Sequence, residues 1–286
     1  MFKKFFRNPI GYQLSVAWLI AVVFIAIFRD VFPGPPWDEP SEAIGVGLFS
    51  PGHFFGTTQD GYDVMRGVLN GARLSAIVAL GSVIIGGGIG TLIGVTSAYF
   101  RGTFDKVVNI GFGVLLSIPN LVLSTALITV LAADSEDGMP ASNVRKVGVM
   151  VLSLTIVIIP ILGRIARSST LQWTNREFVL ASKSMGTSNF EIIRKHILPN
   201  IAPAILAIGF FAVGVVMIVE GSLSIIGIGI PGGASWGSMI GAGRNNLEFS
   251  PWEVFVPGAC IAFTVLAVNY LGDYLRSMLD KRESKI

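Results

Sequence analysis

Six stretches of this chain run free of Asp, Glu, Lys and Arg: residues 12–28, 74–100, 107–133, 147–163, 201–219 and 254–270. A helix needs about 20 apolar residues, within roughly 17 to 25, to cross the hydrocarbon core of a bilayer. The pattern therefore predicts an all-α integral membrane bundle of six transmembrane helices. Within the second stretch Gly86, Gly90 and Gly94 recur at every fourth residue, which strips one helix face of side chains and lets a neighbouring backbone approach. The same run has neither the G-x-G-x-x-G spacing nor the Lys-Ser or Lys-Thr of a nucleotide-binding loop. Pro119 and Pro160 each remove an intrahelical donor and are expected to kink their helices.

Composition agrees with a membrane protein. Of 286 residues, 52% are hydrophobic and 14% charged, and the mean hydropathy is +0.68. That leaves too little polar surface for a soluble globule of this size. Charge adds a direction. If the six spans alternate, fifteen of the 21 lysines and arginines share the side of the N-terminus, and only Arg29, Arg66, Arg73, Arg145, Lys146 and Arg244 face the other. Cytoplasmic loops retain positive charge, so both termini are expected in the cytoplasm of a multi-pass protein of the cytoplasmic membrane. The basic start, with Lys3, Lys4 and Arg7, looks like a signal peptide. No small-x-small site precedes Arg29-Asp30, however, so the first helix is expected to stay uncleaved.

Candidate chemistry is sparse. A lone cysteine, Cys260, excludes an intrachain disulfide and a thiolate cluster, and His53 and His196 are too far apart in sequence to suggest a metal centre. No Ser-His-Asp or paired-carboxylate arrangement is present, so no catalysis is expected of this chain. The isoelectric point near 9.1 comes from cations beside apolar spans, not from one basic stripe. That pattern points to membrane lipid rather than nucleic acid.

The charged stretch between the fourth and fifth spans, 173–199, reads as two short helices around a turn. Phe178, Ala181, Ser182 and Met185 stand at i, i+3, i+4 and i+7, giving one small-to-apolar face suited to packing. Gly186 ends that helix, where a left-handed conformation costs nothing without a Cβ. Ser188 and Glu191 have capping-box spacing for a second helix with Phe190, Ile193 and Ile197 on one side. Pro199, tolerated in a first turn, is expected to open the fifth span. By residue pattern alone such a pair is expected to lie on the headgroups. A DNA-binding helix-turn-helix does not suit a segment tethered between two spans.

Leu180-Ala181-Ser182, Gly186 and then His196-Ile197-Leu198-Pro199 resemble the Glu-Ala-Ala, Gly, Ile-x-Leu-Pro loop of permease subunits in binding-protein-dependent ABC importers. Leu180 replaces the usual glutamate. Further segments resemble the C-type subunit of dipeptide and oligopeptide importers: His53 to Thr57, Gly61 to Val64, Gly71 to Ser75, Leu223 to Gly229, Ser235-Trp236-Gly237 and Leu271 to Arg276. The resemblance implies the fold of a type I ABC importer permease with a cytoplasmic helix-turn-helix coupling loop. It divides the chain into 1–73, with tail, first helix and outer loop, and 74–286, a five-helix core. It also implies a homologous second permease, an extracytoplasmic solute-binding protein, and two ATP-binding subunits that hold ATP and magnesium, with no cofactor in this chain. Leu180, Ala181, Ser182, Met185, Gly186, His196, Leu198 and Pro199 would meet the ATPase, and the cargo would be di- or oligopeptides. Nickel or another small solute is the alternative cargo.

Glu220, the one acidic residue at the end of an apolar span, and Pro119 are the candidates for the pathway or a gate. An unpaired charge at bilayer depth costs roughly 2.5 kcal/mol or more, so Glu220 is expected to face protein or water. One reading couples it to ions, making the chain a secondary transporter or channel; the other has it capping or pairing within the bundle. The segment 230–251 is too polar and long for a tight turn and is expected to dip back between helices or to meet a partner. Trp236 and Trp252 suit a membrane interface. The stretch 29–73, with prolines 33, 35, 36, 40 and 51, reads as irregular and rigid.

Overall fold

A computed structural model describes residues 9–31, 37–131, 143–230 and 235–283. The basic Lys3, Lys4 and Arg7, the prolines 33, 35 and 36, and the end of the third apolar stretch lie outside the described residues. The helices are α1 (Ile10–Phe28), α2 (Val64–Phe100), α3 (Gly102–Ser117), α4 (Asn120–Leu131), α5 (Asn143–Trp173), α6 (Glu177–Ser184), α7 (Asn189–Ile192), α8 (Leu198–Ile225), α9 (Trp236–Gly243) and α10 (Trp252–Glu283).

Five of the expected spans are helices long and apolar enough to cross a membrane. The third expected span is not one rod. α3 and α4 meet at 89°, and only together do they pass as a sixth crossing. Ile118 explains the break: it is extended, at φ −87° and ψ 127°, because the ring of Pro119 clashes with a helical residue before it. Pro160, expected to act alike, leaves α5 unbroken from Asn143 to Trp173. α5 packs against α2 on both sides of Pro160.

This α2–α5 seam is the spine of the bundle. A Cβ on Gly86 would lie 2.8 Å from the Thr155 carbonyl, and Cβ atoms on Gly90 and Gly94 would collide with the carbonyls of Ile159 and Gly163. From the other side, Gly163 admits the ring of Phe112, 2.5 Å from where its own Cβ would stand. The glycine stripe thus does what its spacing predicts. α8 packs on α10, and α1 lies at the edge, mostly unburied, held by the Trp18 indole donating to Thr264 Oγ1 at 2.9 Å and by Gly11 against the Tyr270 ring.

Opposite the 173–199 loop, the other end of the bundle is closed by two insertions. In the first, His53 Nδ1 and Asp63 Oδ2 are 2.6 Å apart, while the other Asp63 oxygen caps α2 by accepting from Arg66 N at 2.8 Å. Gln59 N donates to Glu253 Oε1 at 2.8 Å and the Trp252 indole donates to the Thr57 carbonyl at 2.8 Å. The irregular loop is thereby pinned to the start of α10. The second insertion is α9, which dips back among α2, α8 and α10. Its Trp236 is 2% exposed, with the indole donating to the Val68 carbonyl at 2.8 Å. Trp236 is therefore a core residue rather than an interface anchor, because its N–H finds a carbonyl inside the protein.

Candidate functional site

The 173–199 loop forms an elbow. α5 ends at Trp173 and the chain turns through Arg176 into α6, whose Glu177 at the start and Lys183 at the end suit the helix dipole. Gly186 stops α6 at φ +80°. Its N–H donates to the Lys183 carbonyl and the Thr187 N–H to the Ser182 carbonyl, both at 3.1 Å. That pair of bonds is the Schellman closure, which needs a left-handed residue where Gly186 stands.

Ser188 then caps α7 by accepting from Glu191 N at 3.3 Å. Only half of the expected capping box forms, because the Glu191 carboxylate turns forward to Lys195, one turn on. Residues Ile193–Ile197 make a π turn, with Leu198 N bonded to the Ile193 carbonyl. Pro199 has no N–H to offer the Lys195 carbonyl, so the hydrogen-bond ladder widens just before it. The second arm runs on through this turn into α8 without a break.

The elbow has an inner and an outer side. Val179, Ile192 and Ile197 are buried in a small core with Val95 of α2, Ala166 of α5 and Ile201 of α8, and Ser182 is buried as well. This corrects the expected faces. Ser182 alone of the Phe178, Ala181, Ser182, Met185 set is buried, and Ile192 replaces Phe190, which is 71% exposed. The wide π turn carries Ile197 onto the side of Ile192, five residues earlier. Outward stand Leu180, 52% exposed, Met185, 78% exposed, Ala181 and Gly186, where an added Cβ would meet open space.

His196 joins the two arms: its Nε2 is 3.4 Å from Ser182 Oγ and its ring centroid 5.9 Å from that of Phe178. Leu198 is half-buried and Pro199 exposed. Three contacts that the sequence did not reveal tie the elbow region to the bundle. Tyr99 Oη and Asn189 Oδ1 are 2.8 Å apart, and Arg101 donates to Asn175 Oδ1 at 3.1 Å. Arg167 makes a fork to Asp105, Nε to Oδ1 at 2.6 Å and a terminal nitrogen to Oδ2 at 2.7 Å, joining α5 to α3.

The two gate candidates lie elsewhere. Pro119 is exposed at the α3–α4 bend. Glu220 is 2% exposed at the loop-covered end of α8, where its Oε1 accepts from Ser235 Oγ at 2.6 Å and from Ser224 Oγ at 3.2 Å. Ser235 is also the N-cap of α9, so Glu220 holds that helix in place. Gly237 leaves room for the carboxylate: a Cβ there would sit 2.6 Å from Oε2. Among the described residues, no group of three or more His, Cys, Asp or Glu could hold a metal ion.

Comparison with known proteins matches residues 90–285 to the family described as binding-protein-dependent transport system inner membrane component. The probable D,D-dipeptide transport system permease protein DdpC of Escherichia coli is 33% identical over 95% of this chain and 89% of its own length. The dipeptide permease DppC of Alkalihalophilus pseudofirmus is 28% identical over 98% and 88%, and the glutathione permease GsiD of Pectobacterium atrosepticum 30% over 98% and 89%. Among solved structures, an inward-facing form of the MetNI methionine ABC transporter superposes with a TM-score of 0.55 at 20% identity, over 76% of this chain and 95% of that one. The apolar helices, the glycine-stopped elbow and these matches together mean that the chain belongs to the inner-membrane permeases of binding-protein-dependent transport systems.

Proposed function

We propose that this chain carries di- or oligopeptides across the membrane as one of two homologous permeases, driven by two ATP-hydrolysing subunits that grip its elbow. The observation that carries the reading is the division of the elbow. One side is sunk into α2, α5 and α8, and the other presents Leu180, Met185 and Phe190 with nothing over them in this chain. Large exposed apolar side chains grouped on one surface mark an interaction site, and a patch seated on three helices can transmit force to them.

ATP and magnesium belong to the partner subunits, and the chain itself does no chemistry. Both termini and the elbow face the cytoplasm, and a solute-binding protein delivers cargo at the opposite end. Closure of the ATPase pair moves the elbows and turns the path outward. The names of the relatives, dipeptide and glutathione permeases among them, support a short peptide as cargo.

The test pairs two changes. Met185→Glu with Leu180→Glu places charge on the outward surface and leaves the buried side untouched. Gly186→Phe forces a side chain into a left-handed position at a cost of about 1–2 kcal/mol. Both variants should insert normally yet lose peptide uptake and co-purification of the ATPase. Unchanged uptake by the charged variant would overturn the reading.

A further inference from the structure

α2 and α3 are joined without a loop. Phe100 closes one helix, Gly102 opens the next, and Arg101 alone lies between them. Arg101 takes φ 55° and ψ −155°, and Gly102 follows at φ +72°. Glycine adopts such a backbone freely, whereas the Cβ of any other residue is strained in a region essentially confined to glycine. An arginine there is disfavoured about tenfold or more against a relaxed backbone. Strain of this kind persists only where the surroundings hold it, and it gathers at switch regions.

Three contacts hold the joint. The Arg101 side chain donates to Asn175 Oδ1 at 3.1 Å, and Asn175 stands between the end of α5 and the start of α6, at the entry to the elbow. In the first turn of α3, Asp105 takes the fork from Arg167 of α5. Two turns on, Phe112, the one buried residue of α3, lays its ring over Gly163. The far end of α3 is the 89° bend at Ile118 and Pro119. α3 is thus a short arm, strained at one end and broken at the other, with its moorings in between.

Of the three moorings, the bond to Asn175 is the one that reaches beyond the long helices, and both of its partners are exposed. We infer that Arg101 is a positioning residue. Its bond to Asn175 keeps the α2–α3 joint strained, so displacement of the elbow entry releases the joint, lets Arg101 relax and swings α3 together with the bent third span. Hinges of this sort absorb the change in a few backbone angles at the ends of elements. The inference rests on the proposed role of the elbow.

Paired spin labels test it in the assembled transporter carrying Cys260→Ser. Gly111→Cys of α3 and Gly148→Cys of α5 take the labels, since an added Cβ meets nothing at either position. Without nucleotide the parent should give one distance, and trapping with ATP and vanadate should shift it. Asn175→Ala removes the acceptor and leaves the strain, so it should give the shifted distance without nucleotide. Asn175→Asp keeps an acceptor oxygen and should restore the first distance. Arg101→Gly removes bond and strain together and should populate both. Peptide transported per ATP hydrolysed should fall about tenfold in Asn175→Ala, the factor by which strain biases the joint. A mere loss of folded protein would leave that ratio unchanged. One distance common to all four proteins, or an unaltered ratio, would overturn the joint. A distance that answers to Asn175→Ala and not to ATP would uphold the joint and overturn the ATP-driven reading of the elbow.

Discussion

At the residue scale, the most informative side chain is Glu220. Its carboxylate is enclosed by two serine hydroxyls and the backbone of Gly237, and one of those serines starts α9. Removing an acceptor from a buried hydroxyl costs about 1–3 kcal/mol per orphaned group. Glu220→Gln keeps an oxygen for Ser235 and should leave the protein close to wild type. Glu220→Leu strands both serines and should lower the thermal midpoint of the purified protein by several degrees, at roughly 2–4 °C per kcal/mol. Equal stability of the two variants would refute the clasp. Proton-coupled uptake abolished by the Gln change alone would instead favour ion coupling. No local signal could have paired Glu220 with Ser235, fifteen residues on, because the intervening chain leaves α8 and returns.

At the scale of elements, what was legible and what was not divide along the range of the forces involved. Apolar runs gave the spans, a glycine with a polar turn gave the end of α6, and Ser188 gave the start of α7, since each is settled within a few residues. The bend at Pro119 was legible as a kink, although its 89° was not. The faces of the elbow were misread because helical spacing tells which residues align and not which row meets the floor. Val179 and Ser182 meet it, and the π turn shifts the second arm by a residue, which a 3.6-residue period cannot anticipate. The α2–α5 seam offers a test of the part that was legible. Gly90→Leu would drive a side chain into the Ile159 carbonyl, so the helices must separate along their length. Such overpacking costs typically about 1–3 kcal/mol or more. Detergent-extracted Gly90→Leu should lose its folded elution peak, whereas the same change at Gly88, where an added Cβ meets nothing, should not.

At the scale of the whole molecule, the charges that set topology and the contacts that hold the fold are partly the same groups. Arg167 was counted for its sign, yet it locks α5 to α3 through Asp105 a short distance from the elbow. Family membership covers the chain from 90 onward, and the pinned loop before α2 joins that region through Trp252 and Glu253. Recognition from the motifs therefore carried further than composition, which by itself stops at a helical membrane protein.

The tight turn at Ser50-Pro51-Gly52-His53 has a practical consequence. His53 N donates to the Ser50 carbonyl at 2.9 Å, and Gly52, at φ +82°, has nothing within 4 Å of an added Cβ. The hairpin tip thus projects into free space while its base is bolted to α10. A short epitope spliced in beside Gly52 should be borne without loss of uptake and be stained by antibody on intact spheroplasts. Staining only after the cells are permeabilised would turn the whole protein upside down relative to the direction its cations suggest.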